Sequence, residues 1–311
     1  MLAGHHLDLD RFTSVRHTNW SEAAARSGRV DDHLAVIVEE VRGVASALID
    51  SGRPLAMGLT GGADSRMLLA ALRGMTDSIL FYTVDAPGAR FDRDRAVELA
   101  QRFGLRHRVL PYARASARQA EQWDRRVGHA VVTANRTMFP SVTPLEGYAC
   151  LSGLGGEVGR GFLWRERARL PARIMARDIV DRLKLPRLPT VEARIGTWLA
   201  NLPSTDPHRV LDIAYIEQRM SAWAFAQSYA NPTSLVLHPL GSAVALRAML
   251  ALPATYRQGD GMVRGVIERC WPELLELPIN RYGDARDYAR QAGKLANPGR
   301  AWRKLRQIAR S

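Results

Sequence analysis

The chain has 311 residues, 46% of them hydrophobic, so it can bury a large core as one domain or as two unequal ones. No apolar stretch approaches the roughly 18 residues that cross a membrane, and the first residues lack a signal-peptide pattern. Two cysteines are too few for a disulfide framework. We therefore expect a cytoplasmic protein without a membrane partner. The net charge is +13, and of the 44 basic residues only three are lysines: Lys184, Lys294 and Lys304. The other 41 are arginines that are spread along the chain. This distribution argues against a nucleic-acid partner and for an anionic substrate or partner protein.

The first half of the chain alternates between helical and strand patterns. A helix over residues 31–51 has apolar side chains at helical spacing and begins beside Asp31 and Asp32, which can cap it. The elements that follow are a strand at 55–59, a helix at 67–72, a strand at 78–84, a helix at 92–103 and a strand at 106–110. This alternation predicts a parallel sheet with helices on both faces and a ligand at the carboxyl ends of the strands.

The second half is predicted to be mainly helical. A helix at 116–128 and a buried strand at 148–152 precede residues 153–161, which contain five glycines in nine positions. Helical patterns then continue over residues 174–183, 191–202, 210–229, 242–252 and 262–270. We therefore expect one α/β domain with a helical carboxyl-terminal half at 31–296, preceded by an extension at 1–30 and followed by a basic tail at 297–311.

The most informative segment is the loop TGGADS that follows the first strand. Gly61 and Gly62 have no side chains, so their backbone N–H groups can approach an anion, and the start of the next helix adds a positive dipole end. Thr60 and Ser65 add hydroxyl donors. Asp64 is out of place among phosphate donors unless it binds Mg²⁺, which neutralises a nucleotide. The loop therefore predicts a site for a magnesium nucleotide.

This loop differs from the two best-known phosphate-binding motifs. It lacks the Lys and the spacing of the Walker loop, G-x-x-x-x-G-K-[ST], and it does not match the dinucleotide motif G-x-G-x-x-G. An ordinary strand-to-helix turn with Ser65 as the N-cap would explain one glycine and the serine. It would leave Asp64 and the second glycine unexplained.

Two further acids are candidates. Glu157 lies in the glycine-rich segment, where it is either a solvated loop acid or a metal ligand. Because loops that approach phosphate need glycine, the neighbouring Gly155 and Gly156 favour the ligand role. For Asp92, at the start of a predicted helix, we expect the role of helix N-cap.

The TGGADS loop resembles the pyrophosphatase loop, [ST]-G-G-x-D-S, of enzymes that cleave ATP between the α- and β-phosphates. Together with the glycine-rich segment 153–161, it makes most of the chain similar to the C-terminal synthetase domain of the asparagine synthetase family, which includes β-lactam synthetases and lasso-peptide cyclases. The resemblance implies an adenine nucleotide alpha-hydrolase-like fold. It also implies ATP and Mg²⁺ as cofactors, a small-molecule or peptide carboxylate as substrate, and an amine or ammonia as the second reactant.

The resemblance further implies site residues. Asp64 and Glu157 would hold Mg²⁺ on ATP and, with Arg281, make up the catalytic residues. The fork-like guanidinium donors of Arg66, Arg160 and Arg281 can each orient a carboxylate or a pyrophosphate. The implied nucleotide-binding residues are Leu59, Thr60, Gly61, Gly62, Asp64, Ser65, Thr83, Val84, Gly155 and Gly156.

Three departures from the family concern the acceptor half of the reaction. Asparagine synthetases begin with a glutaminase domain whose nucleophile is an N-terminal Cys. Here residue 2 is Leu, and residues 3–10 resemble only the last strand pair of that domain. We therefore expect a split or truncated arrangement, or a separate amine donor. Leu154 stands where many relatives have a Glu that helps to deprotonate the amine. The Lys expected shortly after Arg281 is missing, and Arg281 or Arg286 can supply the positive charge instead.

Three functional hypotheses follow. The first is an AMP-forming ligase that adenylates a carboxylate for attack by an amine or ammonia. The second is a nucleotide-binding partner subunit, or a catalytically impaired remnant, that depends on a separate glutaminase chain. The third is tRNA modification by an enzyme similar to tRNA lysidine synthetase, which would use the positive charge but does not account for the second glycine-rich loop.

Overall fold

The structure is a computed structural model that describes residues 1–21, 28–131, 134–166, 170–231 and 234–288. Its strands are β1 (His5–Asp8), β2 (Thr13–Arg16), β3 (Leu55–Gly58), β4 (Ile79–Asp85), β5 (His107–Pro111), β6 (Ala149–Leu151) and β7 (Leu235–Leu237). Its helices are α1 (Val30–Asp50), α2 (Ala63–Ala71), α3 (Arg90–Phe103), α4 (Ala117–Val127), α5 (Ala134–Met138), α6 (Ala176–Leu183), α7 (Pro189–Ala200), α8 (Pro207–Ala214), α9 (Phe225–Ala230), α10 (Ala243–Ala251), α11 (Ala254–Gln258) and α12 (Gly261–Cys270). A π-helical segment, Tyr215–Ala224, joins α8 to α9.

The centre of the fold is a five-stranded parallel sheet in the order β5-β4-β3-β6-β7. Strand β3 is buried on both faces, because Leu55 and Met57 belong to the large core and Ala56 belongs to a second, smaller one. Continuous apolar runs are typical of strands covered on both sides by helices. The predicted α/β class, with a parallel sheet flanked by helices and a helical carboxyl-terminal half, is confirmed.

The two faces of the sheet have different coverings. Helices α1, α2, α10 and α12 supply side chains to the large core. The smaller core on the opposite face joins Ala56, Leu80, Leu110 and Cys150 to Leu145 of a 3₁₀ segment that precedes β6. The long helical run α8, π segment and α9 adds a layer beyond the sheet, as the sequence pattern predicts for residues 210–229.

The strand order creates a crevice beside the central strand. The chain moves from β3 to β4 and β5 on one side, and later adds β6 and β7 on the other side. The loops that leave the carboxyl ends of β3 and β6 therefore start next to each other. In open parallel sheets, ligands bind at such a topological switch point.

Two helix starts are predicted wrongly, and one strand is not predicted. Helix α2 begins at Ala63 and not at residue 67, because Gly62 has an extended conformation and is the N-cap in place of Ser65. Helix α3 begins at Arg90, so Asp92 lies inside its first turn and is not the N-cap. Strand β7 lies in the half predicted to be mainly helical, between the helices predicted at 210–229 and 242–252; its three residues are too few to show a strand period.

The N-terminal extension forms an antiparallel hairpin of β1 and β2, with His5 opposite Arg16. Arg16 attaches this hairpin to the helical half: its guanidinium donates to both carboxylate oxygens of Glu217 and to the Asn201 carbonyl. The predicted basic tail at 297–311 lies outside the described residues. Within the described part of the chain, no helix combines the length and apolarity needed to cross a membrane.

Candidate functional site

The TGGADS loop leaves β3 and enters α2 at the switch point. The Ser65 hydroxyl lies 2.9 Å from the Thr60 hydroxyl and accepts a hydrogen bond from the Thr60 N–H at 3.2 Å. The Thr60 hydroxyl in turn accepts from the N–H of Gly62 at 3.1 Å. The two hydroxyls therefore shape the loop itself. Because the N-cap Gly62 has no side chain, no side chain caps the start of α2, and its first amides suit an anion.

Asp92 holds the loop from the side of α3. Its Oδ1 accepts from the N–H of Gly61 at 3.1 Å, which is the role that replaces the predicted N-cap. Phe91 packs so closely on Gly61 that a Cβ there would collide with the ring. The sequence identified both glycines, but it did not show that the amides of Gly61 and Gly62 already have acceptors within the protein. An anion must compete with Asp92 and Thr60 for these two donors.

A carboxyl-terminal segment around residue 280 packs on the same loop. The N–H of Asn280 donates to the Gly61 carbonyl at 2.9 Å, and the ring of Tyr282 meets Phe91 edge to face at 4.9 Å. Buried Arg95 donates to the carbonyls of Arg281 and Tyr282 at 3.0 and 2.8 Å. This backbone anchoring brings the predicted catalytic residue Arg281, whose side chain is exposed, to the edge of the TGGADS loop.

The glycine-rich loop after β6 lies directly against Asp64. A Cβ on Gly153 would lie 2.8 Å from the Asp64 Cβ, and a Cβ on Gly156 would lie 3.0 Å from its Oδ1. Gly155 has φ of +104°, and a Cβ there would lie 2.8 Å from the Leu240 backbone. Only glycine fits these positions without displacing a neighbour. The structure thus brings together the two loops that the resemblance pairs.

Asp64 is the central acid of the site. Its Oδ2 accepts from Arg160 Nη2 at 2.7 Å, while its Oδ1 is buried and has no hydrogen-bond partner. Burial raises the pKa of the Asp64 carboxyl to about 6; Arg160 opposes this rise, and the nearby Glu157 adds to it. A partly desolvated carboxylate with a free oxygen can bind a cation.

Glu157 is the second predicted metal ligand and lies in the field of Asp64. Its Oε2 accepts from the N–H of Gly155 at 2.9 Å. Tyr215, which the sequence did not identify, is 3% exposed. Burial and then the charge of Glu157 raise the pKa of the Tyr215 hydroxyl. Tyr215 lies on a π-helical segment, a form found frequently at functional sites. No pattern in the sequence revealed this segment.

The two acids fit a magnesium ion that also contacts phosphate. Among the described residues, no group of three or more His, Cys, Asp or Glu side chains converges as a complete metal cage. Mg²⁺ in nucleotide sites does not need one, because it binds one or two carboxylates and completes its octahedron with phosphate oxygens and water. The unpartnered Oδ1 of Asp64 and the adjoining Glu157 match that requirement.

The predicted adenine contacts lie beside this centre. Both backbone groups of Leu59 have partners, since its N–H donates to the Tyr82 carbonyl at 2.8 Å and its carbonyl accepts from the Thr83 hydroxyl at 2.6 Å. Val84 lines an apolar pocket of about 240 Å³ on the other face of the sheet. Ser152, the residue immediately before Gly153, lines the same pocket, which therefore borders the second loop.

Three other candidates have structural roles. Arg66 is fully buried and donates to the carbonyls of Leu274 and Leu277, so it is not available to orient a ligand. Arg286 forms an ion pair with Asp284 at 2.7 Å. Leu154 is 8% exposed and belongs to the large core, so no proton acceptor stands at its position.

The site therefore consists of two loops that meet at Asp64, with a second acid, an arginine and an uncapped helix start around it. A comparison with protein-family models gives no match, and neither does a comparison with curated proteins.

Proposed function

We propose that the protein is an AMP-forming carbon–nitrogen ligase similar to asparagine synthetases, with Mg²⁺ and ATP bound at the switch point of the sheet. The observation that supports this most strongly is the contact between the two loops at Asp64. A phosphate-type loop and a second glycine-rich loop meet there, and one oxygen of the Asp64 carboxylate lacks a partner. An ordinary strand-to-helix turn needs none of these features.

The proposed reaction has two steps. First, a carboxylate oxygen of the substrate attacks the α-phosphorus of ATP, the bond from that phosphorus to the α–β bridging oxygen breaks, and pyrophosphate leaves. Then an amine nitrogen attacks the acyl carbon, and the bond from that carbon to the oxygen on the α-phosphorus breaks. AMP leaves, and the amine loses a proton. Bound Mg²⁺ would supply charge neutralisation of the phosphates.

The residues of the chain provide position and charge. Asp64 and Glu157 would hold the metal, and the uncapped amides at the start of α2 would face the phosphates. The exposed guanidinium of Arg281 stands at the edge of the loop, where it can neutralise charge that develops on pyrophosphate. The apolar pocket lined by Val84 and Ser152 has the apolar surface that a base or an acyl group needs.

The product of ATP cleavage tests this function. The protein is incubated with Mg·ATP, hydroxylamine as a general amine, and a panel of amino acids and dicarboxylic acids. We expect AMP and pyrophosphate with a subset of the acids, and at least about 100-fold less of both with Asp64→Ala. Asp50→Ala, an exposed acid at the end of α1, is the matched control and should retain the activity. ADP and phosphate as products, or equal rates in Asp64→Ala, would refute the proposal.

The burial of Leu154 favours a second candidate, a synthetase subunit that works with a separate amine-supplying chain. A leucine in the core cannot take the proton of the attacking amine, so that step needs another group. In this case the chain alone would catalyse carboxylate-dependent exchange of pyrophosphate with ATP but form no amide from ammonia. Adding a glutaminase encoded next to the gene should restore amide formation from glutamine. Amide formation from ammonia by the chain alone would exclude this candidate.

A further inference from the structure

Arg160 occupies one of the two oxygens that Asp64 offers to a cation. Its Nη2 lies 2.7 Å from Asp64 Oδ2, and the side chains are only 14% and 31% exposed. A divalent cation bound to Asp64 would place two positive charges next to this guanidinium. Like charges at such a separation repel strongly where water is partly excluded. The ion pair and a bound metal are therefore in competition for the same carboxylate.

The hydrogen bonds of Arg160 leave it able to take another partner. Its Nε is buried and has no hydrogen-bond partner. The residue ends the 3₁₀ turn Val158–Arg160, directly after Glu157, and it also lines a pocket of about 520 Å³. Three further cations line this pocket, Arg165, Arg182 and Lys184, together with two acids, Glu166 and Asp181. A guanidinium released from Asp64 thus has space next to the site, and an anion is the partner that would balance its charge.

We propose that Arg160 is an anion-binding residue of the nucleotide site, which Asp64 holds until a divalent cation displaces it. The inference rests on the proposed function, because the displacement needs a metal at Asp64. In the free protein Arg160 neutralises Asp64. Once the metal takes over that task, the fork-like donors of Arg160 bind pyrophosphate oxygens. Metal and anion binding are consequently coupled through one side chain.

Mn²⁺ and inorganic pyrophosphate test the coupling, since Mn²⁺ prefers the same oxygen ligands as Mg²⁺ and its binding can be followed by electron paramagnetic resonance. In Arg160→Gln, Mn²⁺ alone should bind about fivefold more tightly than in the wild type, because its competitor is gone. Pyrophosphate in the presence of saturating Mn²⁺ should bind about tenfold more weakly, because a charge-assisted donor is lost. Arg160→Lys, which keeps the charge but not the fork, should lie between the two for both ligands.

The reverse change has an effect that does not depend on metal. Asp64→Asn removes the partner of Arg160, so pyrophosphate without metal should bind this variant at least about fivefold more tightly than it binds the wild type. The double variant Asp64→Asn/Arg160→Gln should lose that gain. This double-mutant cycle measures the Asp64–Arg160 coupling directly.

Arg73→Gln is the control, because Arg73 follows the carboxyl end of α2, away from both loops, and pairs with Glu273 at 3.4 Å. It should leave both Mn²⁺ and pyrophosphate affinities at the wild-type values. Two results would overturn the role of Arg160 while leaving the proposed function intact. In the first, Arg160→Gln binds Mn²⁺ and pyrophosphate as tightly as the control does. In the second, both affinities fall by the same factor. A wild-type protein that binds neither Mn²⁺-pyrophosphate nor Mg·ATP would overturn both.

Discussion

Asp64 combines burial, an arginine partner and a free oxygen in one side chain. Burial raises its pKa from the ordinary 3.8 to about 6, which shows that the ion pair with Arg160 does not fully offset the loss of hydration. Such an acid costs stability when it is ionised and gains most from a cation with more charge than arginine. Its environment is therefore suited to binding a metal rather than to stabilising the free protein.

This pKa gives a pH prediction with a definite sign. Between about pH 4 and 6 the folded protein holds a proton on Asp64 that the unfolded chain has lost, so this contribution to stability is present at low pH and disappears as the pH rises through about 6. Relative to Asp64→Asn, the wild-type free energy of unfolding should fall by about 2 kcal/mol between pH 4 and 7, less than the full shift implies because the side chain is partly exposed. Urea unfolding at several pH values measures the difference, and equal pH profiles would contradict it.

Gly153 tests the contact between the loops. A methyl group there would lie 2.8 Å from the Asp64 Cβ, so Gly153→Ala must push the two loops apart. We expect nucleotide affinity to fall about tenfold or more, because the acid moves relative to the start of α2. Gly43→Ala is the control: no atom lies within 4 Å of the added Cβ, and it should raise stability by about 1 kcal/mol without changing affinity. Calorimetric titration with Mg·ATP would show both effects, and unchanged affinity in Gly153→Ala would contradict the prediction.

The residues of this site were predictable to different degrees. Asp64 and Glu157 could be predicted because an acid among glycines has few structural explanations. The ion pair of Asp64 with Arg160 was not predicted, since 41 arginines have no distinguishing pattern and the pair joins positions 96 residues apart. The role of Asp92 was predicted wrongly, because a first-turn acid and an N-cap acid look the same when the helix start is uncertain by two residues.

At the scale of elements, a buried ion pair connects the second loop to the helical half. Asp212 in α8 accepts from Arg257 in α11 through both oxygens, at 2.6 and 2.8 Å, and from the indole of Trp164 at 2.9 Å. Arg257 also donates to the carbonyl of Val158, the first residue of the turn that ends at Arg160. This network fixes the loop that faces Asp64.

Removing one charge of this pair should be costly. Asp212→Ala leaves the 2% exposed Arg257 without its counter-charge, and we expect about 3 kcal/mol of lost stability together with weaker nucleotide binding through a displaced second loop. Glu121→Ala breaks an exposed pair with Arg125 and should cost no more than about 0.5 kcal/mol. Urea unfolding of the three proteins measures this, and similar losses in the two variants would contradict the account.

Long elements with a clear period could be predicted, whereas short ones and local distortions could not. Helix α1 and strands β3 to β5 follow their apolar patterns to within one or two residues. The run from α8 to α9 was predicted as a single helix. The π segment within it was not predicted, because the wider helix leaves the spacing of apolar residues nearly unchanged. Strand β7 depends on pairing with β6, a contact between distant parts of the chain that local sequence does not encode.

For the whole molecule, a buried ion pair helps to hold the N-terminal hairpin, whose flanking residues Leu2 and Trp20 also pack in the large core. Glu217 is fully buried and accepts from Arg16 and from the indole of Trp198 at 2.7 Å. Arg16→Ala leaves that acid without a counter-charge, so we expect a loss of about 3 kcal/mol in stability. Nucleotide affinity should not change, because the contacts of Arg16 are with the helical half and not with either loop. Arg11→Ala, on the turn of the same hairpin, should change neither. Reduced affinity in folded Arg16→Ala would contradict this separation.

The architecture itself could be predicted because alternating strands and helices permit few arrangements. The order of the strands could not, since the position of β6 beside β3 depends on contacts between distant parts of the chain. That position is nevertheless what places the loop with Glu157 against Asp64. The resemblance predicted the pairing of the loops, and the sheet order explains it.

The central claim is that Asp64 binds a metal together with a nucleotide, and one titration tests it most directly. An ATP analogue with a methylene bridge between the α- and β-phosphates is titrated calorimetrically into wild type and Asp64→Asn, with and without Mg²⁺. We predict wild-type binding that depends on Mg²⁺ and is lost or weakened at least about 100-fold in Asp64→Asn. Binding that is absent in the wild type, or equally tight without Mg²⁺ and in Asp64→Asn, would contradict the claim.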